Sequence, residues 1–327
     1  TADGNVQLAR TTPSSMSNLD VTGFLEFSGT ASTGDLMSLG GLTADGISVV
    51  GCGWNVRADG ATLGGGSAGT WATASCTSSS ARSSLTVVDS TMAASNSNGN
   101  IVYARNGKVT VVDTAITGQT SMGNYVAKAS TNGDVRLIGV SWQGNDCADS
   151  GGWTGMSTCW VDASMSSADI WVGGLARVAA YRMMSGTAVF VADHGVTTTL
   201  VSTSGTCPGT QCAVTPVTSV GTAYTDGSGN ATVWLLQDRL GKTNSGTVVT
   251  DSYTDHNIAV AGGAGQNETT PADAWYTAAC AGPGGDCSMP LTPGDQVYLK
   301  LEAFPQDWGG AAKDCAWLAT NTSLSGG

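Results

Sequence analysis

Positive charge is scarce in this 327-residue chain: Lys and Arg number 13 against 25 Asp and Glu, a formal net charge of −12. So few cations cannot build the basic patch that neutralises nucleic-acid phosphates, and the same deficit disfavours anionic membrane surfaces. Charge of either sign is thin, at 12% of residues, about half the ~25% of ordinary globular proteins. With it go the Glu, Lys and Arg that long helices and coiled coils need in bulk. Histidine occurs twice and no CxxC knuckle exists, so the usual zinc ligand sets are missing. No stretch approaches ~18 uninterrupted apolar residues, so no segment reads as a membrane-spanning helix. The chain starts at Thr1 with neither Met nor a leader, as expected of a processed secreted protein or a piece of a longer one.

Glycine, by contrast, fills 46 positions, and 41% of residues are hydrophobic, ten of all residues being Trp. That apolar content excludes general disorder. Nine cysteines are present. Eight fall into neighbouring pairs across loop-like sequence, which predicts the bridges Cys52–Cys76, Cys147–Cys159, Cys207–Cys212 and Cys280–Cys287, each closing a short excursion. Disulfides imply an oxidising, extracellular setting. Cys315 is left over, either as a buried thiol or with a partner outside the chain. Three N-x-S/T sequons, at Asn230, Asn267 and Asn321, are glycosylation candidates in such a setting.

Internal repetition organises the first half. The segments beginning at Leu85, Val109, Val135, Ile170 and Val189 align, at intervals of 24, 26, 35 and 19 residues. A second strand type runs beside them, aligned on Val102, Val126 and Val161, with Tyr181–Met184 as a further member. The long interval holds an insertion, Gly144 to Cys159. Asn106-Gly107 and Asn132-Gly133 mark corners, where Asn and Gly tolerate positive φ. Short β-branched runs bounded by Gly, Asn and Ser read as strands. A period of 20–25 residues without helices predicts a parallel β-solenoid. An antiparallel meander is the rival, because Asn-Gly also makes hairpins.

Segments such as Gly41-Leu-Thr-Ala-Asp-Gly-Ile-Ser-Val49 and Gly107-Lys-Val-Thr-Val-Val-Asp-Thr114 resemble coils of the right-handed parallel β-helix, pectin-lyase-like superfamily, in the versions found on large secreted and cell-surface proteins of bacteria and archaea. The resemblance covers residues 1–187 and implies fold rather than activity. Around 188–304 the pattern changes: Thr225, Asp226, Gly229, Ala231 and Val233 resemble the turn of Ig-like and carboxypeptidase-regulatory-like β-sandwich modules, where two strands flank a hairpin turn. Residues 305–327 form a C-terminal tail, a candidate contact with a neighbouring subunit or repeat. The expected fold is thus all-β, a right-handed parallel β-helix followed by an Ig-like β-sandwich.

Catalytic patterns are weak. Gly64-Gly-Gly-Ser-Ala-Gly69 matches both GxSxG and GxGxxG, but each needs a following helix. Gly241-Lys-Thr243 lacks the first P-loop glycine. Asp226-Gly-Ser-Gly-Asn230 begins like a calcium loop without the closing Glu. His194 and His256 sit in turn-like contexts outside any nucleophile or metal arrangement. Active members of the resembled superfamily use clustered acids, and Asp89 and Asp113 occupy equivalent positions in adjacent coils, although Gly139 ends the row. Asp146 and Asp149 are weak calcium candidates, and no cofactor is otherwise expected. Trp142, Trp153 and Trp160 form a candidate glycan or partner surface, with packing as the competing role. The expectation is an extracellular structural or adhesive protein rather than an enzyme. It self-assembles head to tail into a filament or surface layer, because open solenoid ends template further strands. A polysaccharide-binding module, lyase or hydrolase is the alternative.

Overall fold

The structure, a computed structural model, describes residues 5–9, 15–31, 36–64, 72–78, 80–97, 100–120, 125–147, 159, 161–184, 187–190, 192–204, 213–253, 255–263, 288–290, 293–294, 296–300 and 319–320. Among them the fold is all-β, with 31 strands and no helix. Contacts divide the chain into two compact units. One holds Thr1–Gly173 and Gln237–Ser252, the other Gly174–Leu236 and Tyr253–Gly327.

In the first unit the chain passes in fixed order through three long sheets. The first sheet takes Val6–Ala9, Phe24–Ser28, Gly46–Val49, Ala72–Ser75, Val102–Arg105, Ala127–Ser130 and Val161–Ala163, all parallel. The second takes Ser15–Ser17, Leu36–Gly40, Asn55–Asp59, Ser83–Val88, Gly107–Val112, Asp134–Ile138 and Ala168–Gly173, again all parallel. The third takes Thr43–Ala44, Thr62–Gly64, Thr91–Ser97, Ala115–Thr120 and Ser141–Trp142. Neighbouring Cα partners make rows of like residues. One runs Met37, Val56, Leu85, Val109, Val135, Ile170, and all of it is buried in one continuous core. At ~1.5–3 kcal/mol for each large apolar side chain removed from water, such rows are the main favourable term of this unit.

The registers Leu85↔Val109↔Val135↔Ile170 are those the repeat predicts. Two members differ. Val189 pairs with Arg182 in a sheet of the second unit, and the strand holding Tyr181, Leu175–Met184, lies in that unit as well. In the second strand type, Val102 faces Ala127 and not Val126. Both Val126 and Ala127 are buried, so apolar pattern alone leaves that register open by one residue.

Two parallel ladders end by reversal. Asp238–Lys242 lies antiparallel on Ala168–Gly173, and Val248–Ser252 antiparallel on Asp238–Lys242. Leu240 sits opposite Ile170 and extends the apolar row by one step; Thr250 follows and ends it on a hydroxyl. Arg239 pins this hairpin, with 2.8 Å to Asp169, 3.2 Å to Asp251, and its guanidinium 5.5 Å from the Trp171 ring centroid. In the third sheet, Asn145–Asp146 turns back on Ser141–Trp142.

The second unit contains a five-stranded mixed sheet (Thr187–Phe190, Leu175–Met184, Asn230–Trp234, Gln296–Lys300, Ala319–Thr320) and a four-stranded antiparallel one (Ala213–Tyr224, His194–Ser204, Asp255–Gly263, Ser288–Pro290). The expected hairpin around Asp226 is different in kind. Ala213–Tyr224 and Asn230–Trp234 pair into different sheets. The turn between them is set by the Asp226 carboxylate, which accepts from Ser228 N at 2.8 Å and Asn230 N at 3.0 Å.

Candidate functional site

Between the second and third sheets the chain turns a corner that needs positive φ, the region favouring Gly, Asn and Asp. The residues there in successive coils are Asn18, Gly41, Gly60, Asp89, Asp113 and Gly139, with φ from 44° to 64°. Their amides continue the ladder: Gly60 N donates to Val88 O, Asp89 N to Val112 O, Asp113 N to Ile138 O. The equivalence of Asp89, Asp113 and Gly139 is therefore backbone geometry first. Its by-product is two aspartates whose backbones stand one strand spacing apart, ~4.8 Å.

Those carboxyls line a groove of about 460 Å³ with Ser90, Thr114, Ala115, Gly139 and Ser141. Asp89 is exposed, and the partial desolvation it does undergo raises its carboxyl above the ordinary range. The charge of Asp113, a side-chain hydrogen bond with it and the charge of Asp59 push the same way, against a smaller opposing pull from Arg57. Arg57 is committed to Asp59 through contacts of 2.8–3.0 Å. The hydroxyls are used inside the fold. Ser90 Oγ donates to Val88 O at 2.7 Å and accepts from Ala61 N at 2.9 Å, and Thr114 Oγ1 donates to Val112 O at 2.8 Å. The groove thus offers carboxyl chemistry, and among the described residues its nearest cation, Arg57, is already committed to Asp59. The sequence does carry a signal for the paired Ser90 and Thr114, since each directly follows an aligned Asp.

A second electrostatic feature lies on the second sheet. Burial, with the charge of Arg136 beside it, pushes Lys108 down to about 8, against an opposing pull from Asp134. Arg136 is buried and bonded to Asp134 at 3.1 Å. No sequence signal marks this group, because Lys108 and Arg136 stand 28 positions apart and meet only through the Lys108↔Asp134 register.

The other candidates separate. Cys52–Cys76 and Cys147–Cys159 are bridged, with Cα–Cα distances of 5.1 and 5.2 Å. Cys207, Cys212, Cys280, Cys287, Cys315, Asn267, Asn321, Trp153, Trp160 and Asp149 lie outside the described residues. Asn230 opens a strand and is half-buried. Trp142 ends the row Leu63, Met92, Ile116, packs against the core and donates from Nε1 to Gly118 O at 3.3 Å, so packing holds it. Asp146 sits opposite Ser141. Among the described residues no group of three His, Cys, Asp or Glu could hold a metal ion. Both histidines are buried. His194 Nδ1 lies 2.7 Å from Ala192 O, and His256 Nε2 3.0 Å from Leu236 O. Gly64 ends one strand and Ala72 begins the next described one. Gly241 and Lys242 lie in the terminal hairpin.

No family model, curated protein or solved structure matches this chain.

Proposed function

We propose that this is an extracellular structural or adhesive surface protein. Its first unit is a right-handed parallel β-helix of the kind the pectin-lyase-like resemblance implies, and its second an Ig-like β-sandwich. Subunits or repeats join head to tail. The observation that carries the reading is the inequality of the sheet ends. At one end Val6–Ala9 and Ser15–Ser17 pair on one side only among the described residues, and half-buried Val6, Leu8 and Met16 continue the core there. At the other end of the second sheet stands Val248–Ser252, with Val248 exposed. Unlike ends favour heterologous contacts, which extend into filaments or layers instead of closing as pairs. The two disulfides and the absence of a helix long and apolar enough to cross a membrane, among the described residues, accord with a secreted protein. Electron microscopy of native material should reveal filaments or a lattice; monodisperse monomers in light scattering at native ionic strength overturn the assembly.

The Asp89–Asp113 groove favours one other reading, polysaccharide binding or cleavage without a resident cofactor. Incubation with acidic and neutral polysaccharides, followed by product sizing and tryptophan fluorescence, tests it. Neither cleavage nor quenching removes that reading.

A further inference from the structure

We propose, on the head-to-tail reading of assembly, that the hairpin of residues 238–252 is an autoinhibitory cap: it occupies the edge of Ala168–Gly173 on which the first coil of a second copy continues the second sheet, and joining requires it to leave that edge.

One inward row of the second sheet runs from Met16 to Val172 through Cα partners in every coil. Met16 is half-buried at its start and Val172 is buried at its end. The next position after Val172 is Asp238. Beside it, Leu240 stands opposite Ile170 and Lys242 opposite Ala168. Cross-strand partners share a face, so Asp238, Leu240 and Lys242 all stand on the core side, and only Leu240 is apolar. Charges on the core side of an outermost strand are one way in which natural sheets refuse further strands. The outer strand of the hairpin continues the refusal, with Thr250 opposite Leu240 and Ser252 opposite Asp238. On the bare edge, Met16 of a second copy would extend the row that Asp238 now closes, with a thioether in place of a carboxylate.

The hairpin is also foreign to the sheet in direction. Every step from Ser15–Ser17 to Ala168–Gly173 is parallel, whereas Asp238–Lys242 lies antiparallel. Its hold is of a kind that can be released. Arg239 reaches across to Asp169 at 2.8 Å, while its bond to Asp251 stays inside the hairpin; these side chains are 29–34% exposed, so solvent screens both pairs. Lys242 Nζ donates to Ser164 O at 3.3 Å, and Ser167 Oγ to Asn244 Oδ1 at 2.6 Å. A coil-to-coil step instead buries two large apolar side chains on the same face, as Val135 and Leu137 do against Ile170 and Val172. An incoming coil therefore competes with a cap that is bound mainly through polar contacts.

The experiment follows assembly of the full chain by sedimentation and light scattering. It compares wild type with Arg239→Ala and Asp169→Asn, each first checked by circular dichroism for an unchanged β spectrum. Both substitutions loosen the docked hairpin. Assembly should begin on the order of 5–30-fold sooner in Arg239→Ala and show a smaller gain in Asp169→Asn, with faster hydrogen exchange along Ala168–Gly173 beforehand. Adding Met16→Lys to Arg239→Ala should restore the slow rate, because the incoming row is then blocked. Wild-type filaments with no gain in either variant overturn the cap and leave head-to-tail joining standing. Acceleration that survives Met16→Lys is non-specific aggregation and also overturns the cap. No assembly by any of these proteins removes head-to-tail joining itself, and the cap with it.

Discussion

Two adjacent residues at one corner divide the conformational work. Asn106 and Asn132 carry the positive φ, 47° and 55°. Gly107 and Gly133 are needed for a different reason. A Cβ on Gly133 would lie 2.3 Å from Ala104 O, and one on Gly107 2.9 Å from Ala74 O, both backbone atoms of the neighbouring coil. The asparagine amides stack along the axis of repetition: Asn132 Nδ2 donates to Asn106 Oδ1, and Asn106 Nδ2 to Cys76 O, both at 3.0 Å. Gly133→Ala should therefore cost about 1–3 kcal/mol or more by overpacking against backbone. Asn132→Gly, which keeps the φ and loses one hydrogen bond, should cost about 1 kcal/mol. Urea titration of both variants checks the order; a loss for Gly133→Ala no larger than that for Asn132→Gly would show that the neighbouring backbone yields to the added Cβ.

At the scale of the element, the terminal hairpin depends on Arg239, which meets two carboxylates and one indole face. A cation–π contact contributes ~0.5–1 kcal/mol and each partly exposed ion pair ~0–1 kcal/mol. Arg239→Ala should thus lower stability by about 1–2 kcal/mol, with the loss shrinking in high salt, and should raise hydrogen exchange along Asp238–Lys242 first. Little of this element was legible in the sequence: Gly241-Lys-Thr-Asn-Ser-Gly246 reads as turn material, and nothing in it states that the flanking residues join a sheet whose last strand ended at Gly173. The parallel strands were legible because their inward rows repeat β-branched residues at matching intervals, as at Leu85, Val109 and Val135. The limits were equally physical. Val189 has the same two-residue alternation as those strands, but alternation reports a half-buried strand and not which sheet receives it. The acid pair was visible as a repeat, while its cause, a left-handed corner, lies in φ and not in side-chain chemistry.

At the scale of the whole molecule, stacked rows and, among the described residues, two covalent braces hold the fold. Cys52–Cys76 joins positions 24 residues apart, and the chain-entropy model assigns a loop of that size about 3 kcal/mol. Replacing both cysteines with Ser should lower stability by roughly that amount; an unchanged unfolding midpoint would assign the brace no thermodynamic role. Assembly through unlike ends also predicts that a charge placed on the first edge strand, as in Leu8→Lys, blocks filaments, whereas Leu8→Ala, which loses the same packing against the core but adds no charge, still assembles. Sedimentation of the two proteins at equal concentration reads this directly.

The reversed hairpin has a consequence for biosynthesis. Ala168–Gly173 emerges from the ribosome before its partner Asp238–Lys242, and residues 174–237 are made between them. At ~5–20 residues per second this delay is about 3–13 s. Throughout it, the youngest strand of the second sheet presents an unpaired parallel edge to every other nascent chain nearby. The order of synthesis thus exposes the edge first and supplies its cover last, and the cell must keep neighbouring chains apart for that interval.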